Sequence, residues 1–292
     1  MSRFAFEAIG TSWEIATATP QEKELCLRIL DLTQQFDRTC SRFRDDSLIS
    51  KIAQARRGGT FELPSDVAEM FRLYDRLHLA TNGAVDPLVG RDLELLGYDR
   101  HYSLQPSVAD IAVHARERPS WKLDVLRDGR TLRTRRPLTI DLGAVGKGYL
   151  VDLISRLLVI EGIDDFTVDA SGDIMHRGGE VLHVGLEHPF DPTLVVGVAH
   201  LHSASLCASA INRRVWGDGL HHIVDARTGT PVTDVVATWV VANDTATADG
   251  LATALFFAPA SRLWETFEFS FVRMFADGHA EVSDNFEGEV FT

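Results

Sequence analysis

The stretch TIDLGAVGKGYLVD, residues 139–152, is the most informative part of the sequence for predicting the fold. A β-branched run ends in Asp141, a loop with three glycines follows, and Lys147 stands between two of those glycines before an apolar run. Glycines let the backbone approach a ligand closely, and the free N–H groups at the start of a helix favour an anion. The stretch therefore predicts a helix over residues 147–161, with Lys147 as a candidate anion ligand. A tight strand–helix turn with a solvated lysine explains the same residues equally well.

The glycine loop does not match the standard phosphate-binding motifs. A P-loop needs G-x-x-x-x-G-K-[ST], but here Gly143 lies only three residues before Gly146, and Gly148 takes the place of the hydroxyl that binds magnesium. A G-x-G-x-x-G dinucleotide fingerprint is also absent from the loop. Asp141 cannot hold a phosphate directly, but it can accept hydrogen bonds or help to organise a cation.

Composition and charge limit the classes of partner. The 292 residues are 45% hydrophobic and 24% charged, which is ordinary for a globular protein. The formal net charge of −13 argues against nucleic acid or an anionic membrane as the main partner. The three cysteines are widely spaced and form no C-x-x-C pair, which argues against a zinc site or a disulfide framework.

Targeting signals are not evident in the sequence. The N-terminus MSRFAFEAIGTSWEI has no apolar core of signal-peptide length and no lipobox-like cysteine. No window holds the roughly 18 apolar residues that a membrane helix needs. We therefore expect a cytoplasmic protein without membrane insertion, unless the true start lies upstream and carries an export signal.

Hydrophobic periodicity predicts a mixture of helices and strands. Amphipathic patterns predict helices over 20–40, 64–81, 147–161 and 246–258. Alternating patterns predict strands over 121–142 and 163–187, a buried strand over 235–243, and a C-terminal hairpin that turns at Asp277-Gly278. Because no βαβ rhythm, repeat or linker is present, the pattern favours an α+β (mixed α/β) fold over a doubly wound parallel sheet.

A second acidic position lies near the C-terminus, in the stretch TADGLATALF. Asp249 and Thr253 are four residues apart, so that on a helix both oxygens lie on one face. A carboxylate and a hydroxyl, completed by backbone carbonyls and phosphate oxygens, suit Mg²⁺. Taken alone, the pattern fits a structural role better, with Asp249 at a helix N-terminus and Thr253 packed internally.

The stretch GLHHIVDARTGTPV, residues 219–232, contains the candidate base. The adjacent His221 and His222 must point to opposite faces of a strand, and Asp225 follows three residues after His222. A histidine with a pKa near neutrality beside a phosphate site would be a suitable base for a hydroxyl nucleophile. Structural histidines bonded to the backbone are the alternative. The other histidines show no zinc-ligand spacing, and no G-x-S-x-G elbow supports a hydrolase triad.

Taken together, these stretches resemble the ApbE family of FAD:protein FMN transferases. The resemblance runs in order along nearly the whole chain. Its blocks are AIGTSW (8–13), SRFRDDSLISKI (41–52), TNGAVDPLVG (81–90), IDLGAVGKGYLVD (140–152), DASGDI (169–174), SASLCASAINR (203–213), HHIVDARTGTPV (221–232) and TADGLATALF (247–256). The resemblance implies a single ApbE-like domain over residues 1–292, with two fused lobes and the FAD site in the cleft between them.

The same resemblance implies a reaction. FMN would be transferred from FAD to a Ser or Thr hydroxyl of a target flavoprotein, in a Mg²⁺-dependent step that forms a phosphoester and releases AMP. The implied partners are FAD and an acceptor flavoprotein with a Ser/Thr flavinylation motif; the oligomeric state is not indicated. Two alternatives stay open: an FAD pyrophosphatase that yields FMN and AMP, and a non-catalytic FAD-binding carrier.

Matching the family motifs position by position implies three sets of site residues. His222 corresponds to the proposed base. The positions that correspond to FAD contacts are Ile9, Phe43, Ala84, Val85, Asp86, Asp141, Lys147 and Ile223. The positions that correspond to Mg²⁺ ligands are Ala144, through its carbonyl, Asp249 and Thr253. Lys147 would neutralise the pyrophosphate. Departures from the family pattern bear on flavin affinity and acceptor choice; they are Ile9, Phe43, Ser171, Ala210 and Ala226.

Overall fold

Helices and strands follow one another irregularly along the chain, in a computed structural model that describes residues 2–291. In chain order the strands are β1 (Ser2–Ala8), β2 (Thr11–Thr17), β3 (Gly59–Glu62), β4 (Val125–Asp128), β5 (Thr131–Thr134), β6 (Phe166–Asp169), β7 (Asp173–Arg177), β8 (Leu182–His188), β9 (Asp191–Leu201), β10 (Ser205–Ala210), β11 (Val215–Trp216), β12 (Leu220–His221), β13 (Val224–Asp225), β14 (Thr230–Pro231), β15 (Val235–Ala242), β16 (Ser270–Phe275), β17 (Ala280–Val282) and β18 (Gly288–Val290). The helices are α1 (Lys23–Cys40), α2 (Leu48–Gln54), α3 (Ser65–Ala80), α4 (Gly90–Leu95), α5 (Val108–His114), α6 (Trp121–Asp124), α7 (Gly146–Ile160), α8 (Thr245–Ala254) and α9 (Ala260–Leu263). None of the helices within residues 2–291 is both long and apolar enough to cross a membrane.

The chain divides into two compact units. The first unit comprises the chain up to Gln35, Val145–Asn212, and the chain from Thr233 on. The second unit comprises Phe36–Ala144 and Arg213–Val232. Both units are therefore built from segments that are distant in sequence. The single domain expected over residues 1–292 stays a prediction.

The first unit is built on an eight-stranded antiparallel sheet in the order β1-β2-β6-β7-β10-β15-β16-β17. A three-stranded sheet, β18-β9-β8, contributes Leu186 and Leu201 to a core that also contains Trp239 of β15. Helix α8 contacts β15, where Thr238 Oγ1 donates to Ala252 O at 2.7 Å. Because β15 is covered by both elements, its side chains are almost all buried, which confirms the predicted buried strand.

The second unit combines a three-stranded antiparallel sheet, β3-β5-β4, with short helices. Helix α3 buries an apolar face, on which the Phe71 ring stacks against Trp121 with centroids 5.3 Å apart. Two short hairpins, β11-β12 and β13-β14, are formed by the segment that contains the paired histidines. His222 itself lies between these hairpins, in irregular backbone.

The predicted helices are confirmed, with shifts at their ends, and the mixed fold is as expected. The prediction of strands over 121–142 was only partly right, because Trp121–Asp124 form a helix and the strands end at Thr134. Beyond Pro137 the backbone bonds elsewhere: the Asp141 N–H donates to Pro87 O at 2.7 Å. At the start of α8 the Asp244 carboxylate caps the helix by accepting from the Thr247 N–H at 2.8 Å.

Candidate active site

Lys147 lies in a cluster of buried charges in the first unit. Its Nζ lies 3.0 Å from Asp173 Oδ1 and donates to Ala170 O at 3.1 Å. Asp173 is fully buried on β7, directly opposite Cys207 of β10. Asp249 of α8 is 5% exposed and belongs to the same electrostatic cluster. One partly exposed lysine therefore serves two buried carboxyl groups.

Each group in this cluster has a displaced pKa. Burial alone would lower the pKa of Lys147, but the negative charges of Asp173 and Asp249 outweigh burial and raise it. Burial and the charge of Asp173 raise the pKa of Asp249 well above its usual value. Burial also raises the pKa of Asp173, although Lys147 opposes that rise. Two buried carboxyl groups thus share one lysine, and an additional cation beside them would favour their ionised forms.

The glycine after Lys147 allows α7 and α8 to approach closely. The Gly148 N–H, at the start of α7, donates to Asp249 Oδ2 at 3.0 Å. A Cβ atom at Gly148 would lie 2.3 Å from Thr245 O and 2.8 Å from Asp249 Cβ. Any side chain at this position would therefore push α8 away. Gly148, the second glycine of the G-K-G sequence, is therefore required by the packing of α7 against α8. The glycine pattern of the sequence did not predict this requirement.

We expect Gly148→Ala to destabilise the protein by about 1–3 kcal/mol, because the added methyl group overpacks against backbone that cannot yield. Chemical unfolding at neutral pH measures the loss. Gly179→Ala is the matched control, since a Cβ there would meet nothing within 4 Å. Equal stability of the two variants would show that α8 moves at no cost.

The second unit contains a buried ion pair that sequence reasoning missed. Arg42 Nε donates to Asp141 Oδ2 at 2.5 Å, and the two side chains are only 4% and 13% exposed. The Arg42 guanidinium also donates to Tyr98 O at 2.9 Å and lies 4.2 Å from the centre of the Phe43 ring. Its Nη1 is buried without a hydrogen-bond partner within residues 2–291. This nitrogen is a donor available to a ligand.

Asp141 is held as a carboxylate by its surroundings. Burial would raise its pKa, but the charge and hydrogen bond of Arg42 and the Gly143 N–H together lower it below the usual value. The Gly143 N–H donates to Asp141 Oδ1 at 2.8 Å. Asp141 therefore remains ionised and can accept a hydrogen bond from a bound molecule.

We expect the Arg42→Met and Asp141→Asn substitutions to be strongly coupled. Either change alone leaves one buried charge unpaired, whereas the double variant removes both charges. The double variant should be more stable than the sum of the single losses by about 1–3 kcal/mol. A double-mutant cycle of urea unfolding measures this coupling, and strict additivity would contradict the ion pair.

His222 lies in the second unit with one ring nitrogen free. It is hydrogen-bonded to the backbone of Arg214, while Nδ1 is buried and has no hydrogen-bond partner within the described chain. Burial, with the charges of Arg214 and His221, lowers the pKa of His222 to about 3. The expectation of a pKa near neutrality was therefore wrong for the free protein. His222 is neutral at physiological pH, with Nδ1 able to accept a proton.

His221 has the structural role that was the alternative for these histidines. Its imidazole is 4% exposed and Nε2 lies 2.8 Å from Val232 O, within hydrogen-bond distance. Burial lowers the pKa of His221, so that it too is neutral near pH 7. The two adjacent histidines differ in one respect that matters for chemistry: His221 is fixed by the backbone and His222 keeps a free nitrogen.

The other second-unit positions that match FAD contacts lie close to the histidine segment. The Ala84 carbonyl accepts from the Ala226 N–H at 3.1 Å, so that residues 84–86 are bonded to this segment. Asp86 caps the turn after it by accepting from the Leu88 N–H at 2.8 Å. The remaining members of this set are buried; they are Val85 and Ile223.

The remaining predicted residues occupy loops and helix ends. In the first unit, Ile9 has a positive φ of 45° in the β1–β2 turn, and Thr253 is half-buried one turn after Asp249 on α8. In the second unit, Ala144 is half-buried in the glycine loop, and Phe43 stacks on Tyr102 with centroids 5.5 Å apart. The assignment of these residues to FAD or to a metal stays a prediction.

Several residues that complete these clusters had no predicted role. Asp173 and Arg42 lie inside the blocks that resemble the family, and Arg214 directly follows the block that ends at Arg213. Arg214 bonds the Tyr98 hydroxyl and lies 5.4 Å from the centre of that ring. Their only signal in the sequence was a charge next to apolar strand or helix residues, which is too common to assign a role.

The residues at the helix junction fit a hard divalent cation. Within residues 2–291, no three His, Cys, Asp or Glu side chains are grouped so as to hold a metal ion. The two predicted ligands that lie in the first unit are of a different kind: the Asp249 carboxylate and the Thr253 hydroxyl. Among the described residues, neither oxygen of the buried Asp173 carboxylate has an aligned hydrogen bond, in spite of the ion pair with Lys147. Oxygen donors with uncompensated negative charge suit Mg²⁺.

Comparison with known proteins gives consistent matches over the whole fold. The solved ApbE protein of Thermotoga maritima superposes with a TM-score of 0.84, at 25% identity and over 97% of both chains. A protein of Treponema pallidum named FAD:protein FMN transferase is 31% identical, over 78% of this chain and 69% of its own. A protein of the same name from Vibrio cholerae is 28% identical, over 85% and 78%.

The fold class is therefore the mixed α/β fold of the solved ApbE protein. The chain belongs to the ApbE family, because the model of that family matches residues 9–272. This confirms the resemblance that the sequence blocks indicated.

Proposed function

We propose that this protein is an FAD:protein FMN transferase that depends on Mg²⁺. The observation that carries the proposal is the buried cluster of Lys147, Asp173 and Asp249 where α7 and α8 meet. A lysine at a helix start suits a pyrophosphate, and the excess carboxylate charge suits a divalent cation. The names of the family relatives support the same reaction.

The proposal assigns a separate binding role to each of the site residues. Lys147 binds the pyrophosphate of FAD and offsets its charge. Asp249 and Thr253 of α8 would hold Mg²⁺, which when bound would supply Lewis-acid relief of the charge that repels a nucleophile. Asp141, held by Arg42, accepts a hydrogen bond from the nucleotide. Each role is part of the proposal and follows from the position of the residue in the family motifs.

His222 would act as the base in the transfer step. The hydroxyl oxygen of an acceptor Ser or Thr attacks the FMN-side phosphorus, and its proton passes to Nδ1 of His222. The bond from that phosphorus to the bridging oxygen breaks, and AMP leaves with the bridging oxygen. The product is an FMN phosphoester on the acceptor protein. If water replaced the hydroxyl, the products would be FMN and AMP.

The experiment incubates the full chain with FAD, Mg²⁺ and an acceptor peptide that carries a Ser/Thr flavinylation motif, and reads the intact mass of the peptide. A gain of one FMN less water, lost with His222→Gln, supports the proposal. Steady release of AMP without a peptide gain would identify a pyrophosphatase instead. Stoichiometric FAD that is neither cleaved nor transferred would identify a carrier. The cytoplasmic location stays a prediction from the sequence.

A further inference from the structure

Helices α7 and α8 cap one another through two buried aspartates. Asp249 of α8 accepts from the Gly148 N–H at the start of α7, at 3.0 Å. Asp152 of α7 accepts from two N–H groups at the start of α8: Thr245 N to Oδ1 and Ala246 N to Oδ2, both at 2.9 Å. Each helix thus supplies the carboxylate that satisfies the free N–H groups of the other.

The spacing of these contacts fixes how the helices run. Gly148 and Asp152 are four residues apart on α7, and Thr245 and Asp249 are four residues apart on α8. The first residue of one pair bonds the last of the other, so the two helices are antiparallel and their N-terminal turns overlap. Gly148 has no room for a side chain at this overlap. Asp152 accepts two hydrogen bonds at one end of the overlap, and Asp249 accepts one at the other end. These three bonds leave little freedom for one helix to slide along the other.

Asp152 has no assigned part in the reaction, although it is 5% exposed and lies within the G-K-G-Y-L-V-D block. Both of its oxygens accept from α8, so its observed role is to hold that helix. Burial raises its pKa to about 6, which leaves it ionised at neutral pH and attracted to the positive end of the α8 dipole.

We propose that Asp152 is a positioning residue for the cation site: it holds the start of α8 on α7, so that Asp249, with Thr253 one turn further along α8, stays beside the first turn of α7, which carries Lys147. The inference rests on the proposed function, because it takes Asp249 and Thr253 to be the metal ligands. Groups that orient metal ligands typically change metal affinity 10- to 100-fold when they are removed.

A comparison within the same helix separates positioning from ordinary capping. Asp244 also caps α8, but its carboxylate accepts from the Thr247 N–H of its own helix and not from an N–H group of α7. Removing Asp244 should weaken the helix without displacing it from α7. Removing Asp152 should release α8 from α7 while the Asp244 cap remains.

The test titrates the full-length protein with Mn²⁺ alone and follows the loss of the free-ion EPR signal. We expect Asp152→Ala to raise the dissociation constant of Mn²⁺ by at least about 10-fold, Asp152→Asn to lie between it and wild type, and Asp244→Ala to stay within about twofold. Thermal unfolding without metal confirms that each variant is folded. If Asp152→Ala does not fold, the nearly isosteric Asp152→Asn decides alone.

Two further outcomes distinguish the positioning role of Asp152 from the existence of the cation site itself. Wild-type affinity in folded Asp152→Ala or Asp152→Asn protein, or an equal loss in Asp244→Ala, overturns the positioning role only. Wild-type affinity in Asp249→Ala, or no binding by the wild type, overturns the cation site and with it this inference. Loss in Asp249→Ala together with a graded loss at Asp152 supports both.

Discussion

Asp249→Asn is expected to lower the rate of FMN transfer about a thousandfold or more at saturating FAD. Charge stabilisation by a bound metal is worth several kcal/mol, and each 1.4 kcal/mol corresponds to a factor of ten. The asparagine still offers an oxygen to the Gly148 N–H, so that the α7 cap persists while the buried negative charge disappears. The measurement is the initial rate of peptide flavinylation as a function of Mg²⁺ concentration.

The two roles of Asp249 can be separated with a second substitution. Asp249→Ala removes the cap as well as the charge, and caps of this kind are worth about 1 kcal/mol. It should therefore be less stable than Asp249→Asn but no less active. Asp244→Asn, on the exposed side of the same helix start, should transfer FMN at nearly the wild-type rate. An Asp249→Asn protein that keeps more than a tenth of the wild-type rate at low Mg²⁺ would contradict the assigned ligand.

The elements that could be predicted are those that are specified by residues close together in the sequence. The 3.6-residue periodicity over 64–81 describes a helix with one buried face, and the structure places α3 at Ser65–Ala80. The apolar run over 235–243 predicted a strand covered on both sides, because β15 lies between a helix and a second sheet. Lys147 at the start of a helix was predicted from glycines and an apolar run next to it.

The parts that could not be predicted depend on contacts between distant residues. Arg42 and Asp141 are 99 residues apart in sequence, and Gly148 and Asp249 are 101 apart. Secondary-structure propensity and residue spacing contain no information on such pairs. The sequence therefore predicted Asp141 as a site residue but not Arg42 as its ion-pair partner. The same limit explains the error over His222: burial and the neighbouring Arg214 determine its pKa, and neither is visible from the dipeptide His-His.

His222→Gln is expected to lower the rate of transfer by about 10²–10⁴-fold, which is the usual effect of losing a positioned base. Because the pKa of His222 is about 3 in the free protein, the imidazole is already unprotonated over the whole neutral range. The wild-type profile of kcat/KM between pH 6 and pH 8 should therefore show no break from this residue. A break near pH 6.5 that disappears in His222→Gln would contradict the lowered pKa.

The same lowered pKa predicts how acid affects the fold. Between pH 6.5 and about 3 the unfolded chain binds a proton on His222 that the folded protein does not, so acid favours unfolding. The stabilising contribution is complete above pH 6.5 and is lost as the pH falls, by about 3 kcal/mol between pH 7 and pH 4. Urea unfolding of wild type and His222→Gln at several pH values isolates this contribution, because the titration of Asp152 and the other carboxylates is common to both proteins. The free energies of unfolding of the two proteins should converge or cross toward pH 4; parallel curves would mean that His222 is solvated rather than buried beside Arg214.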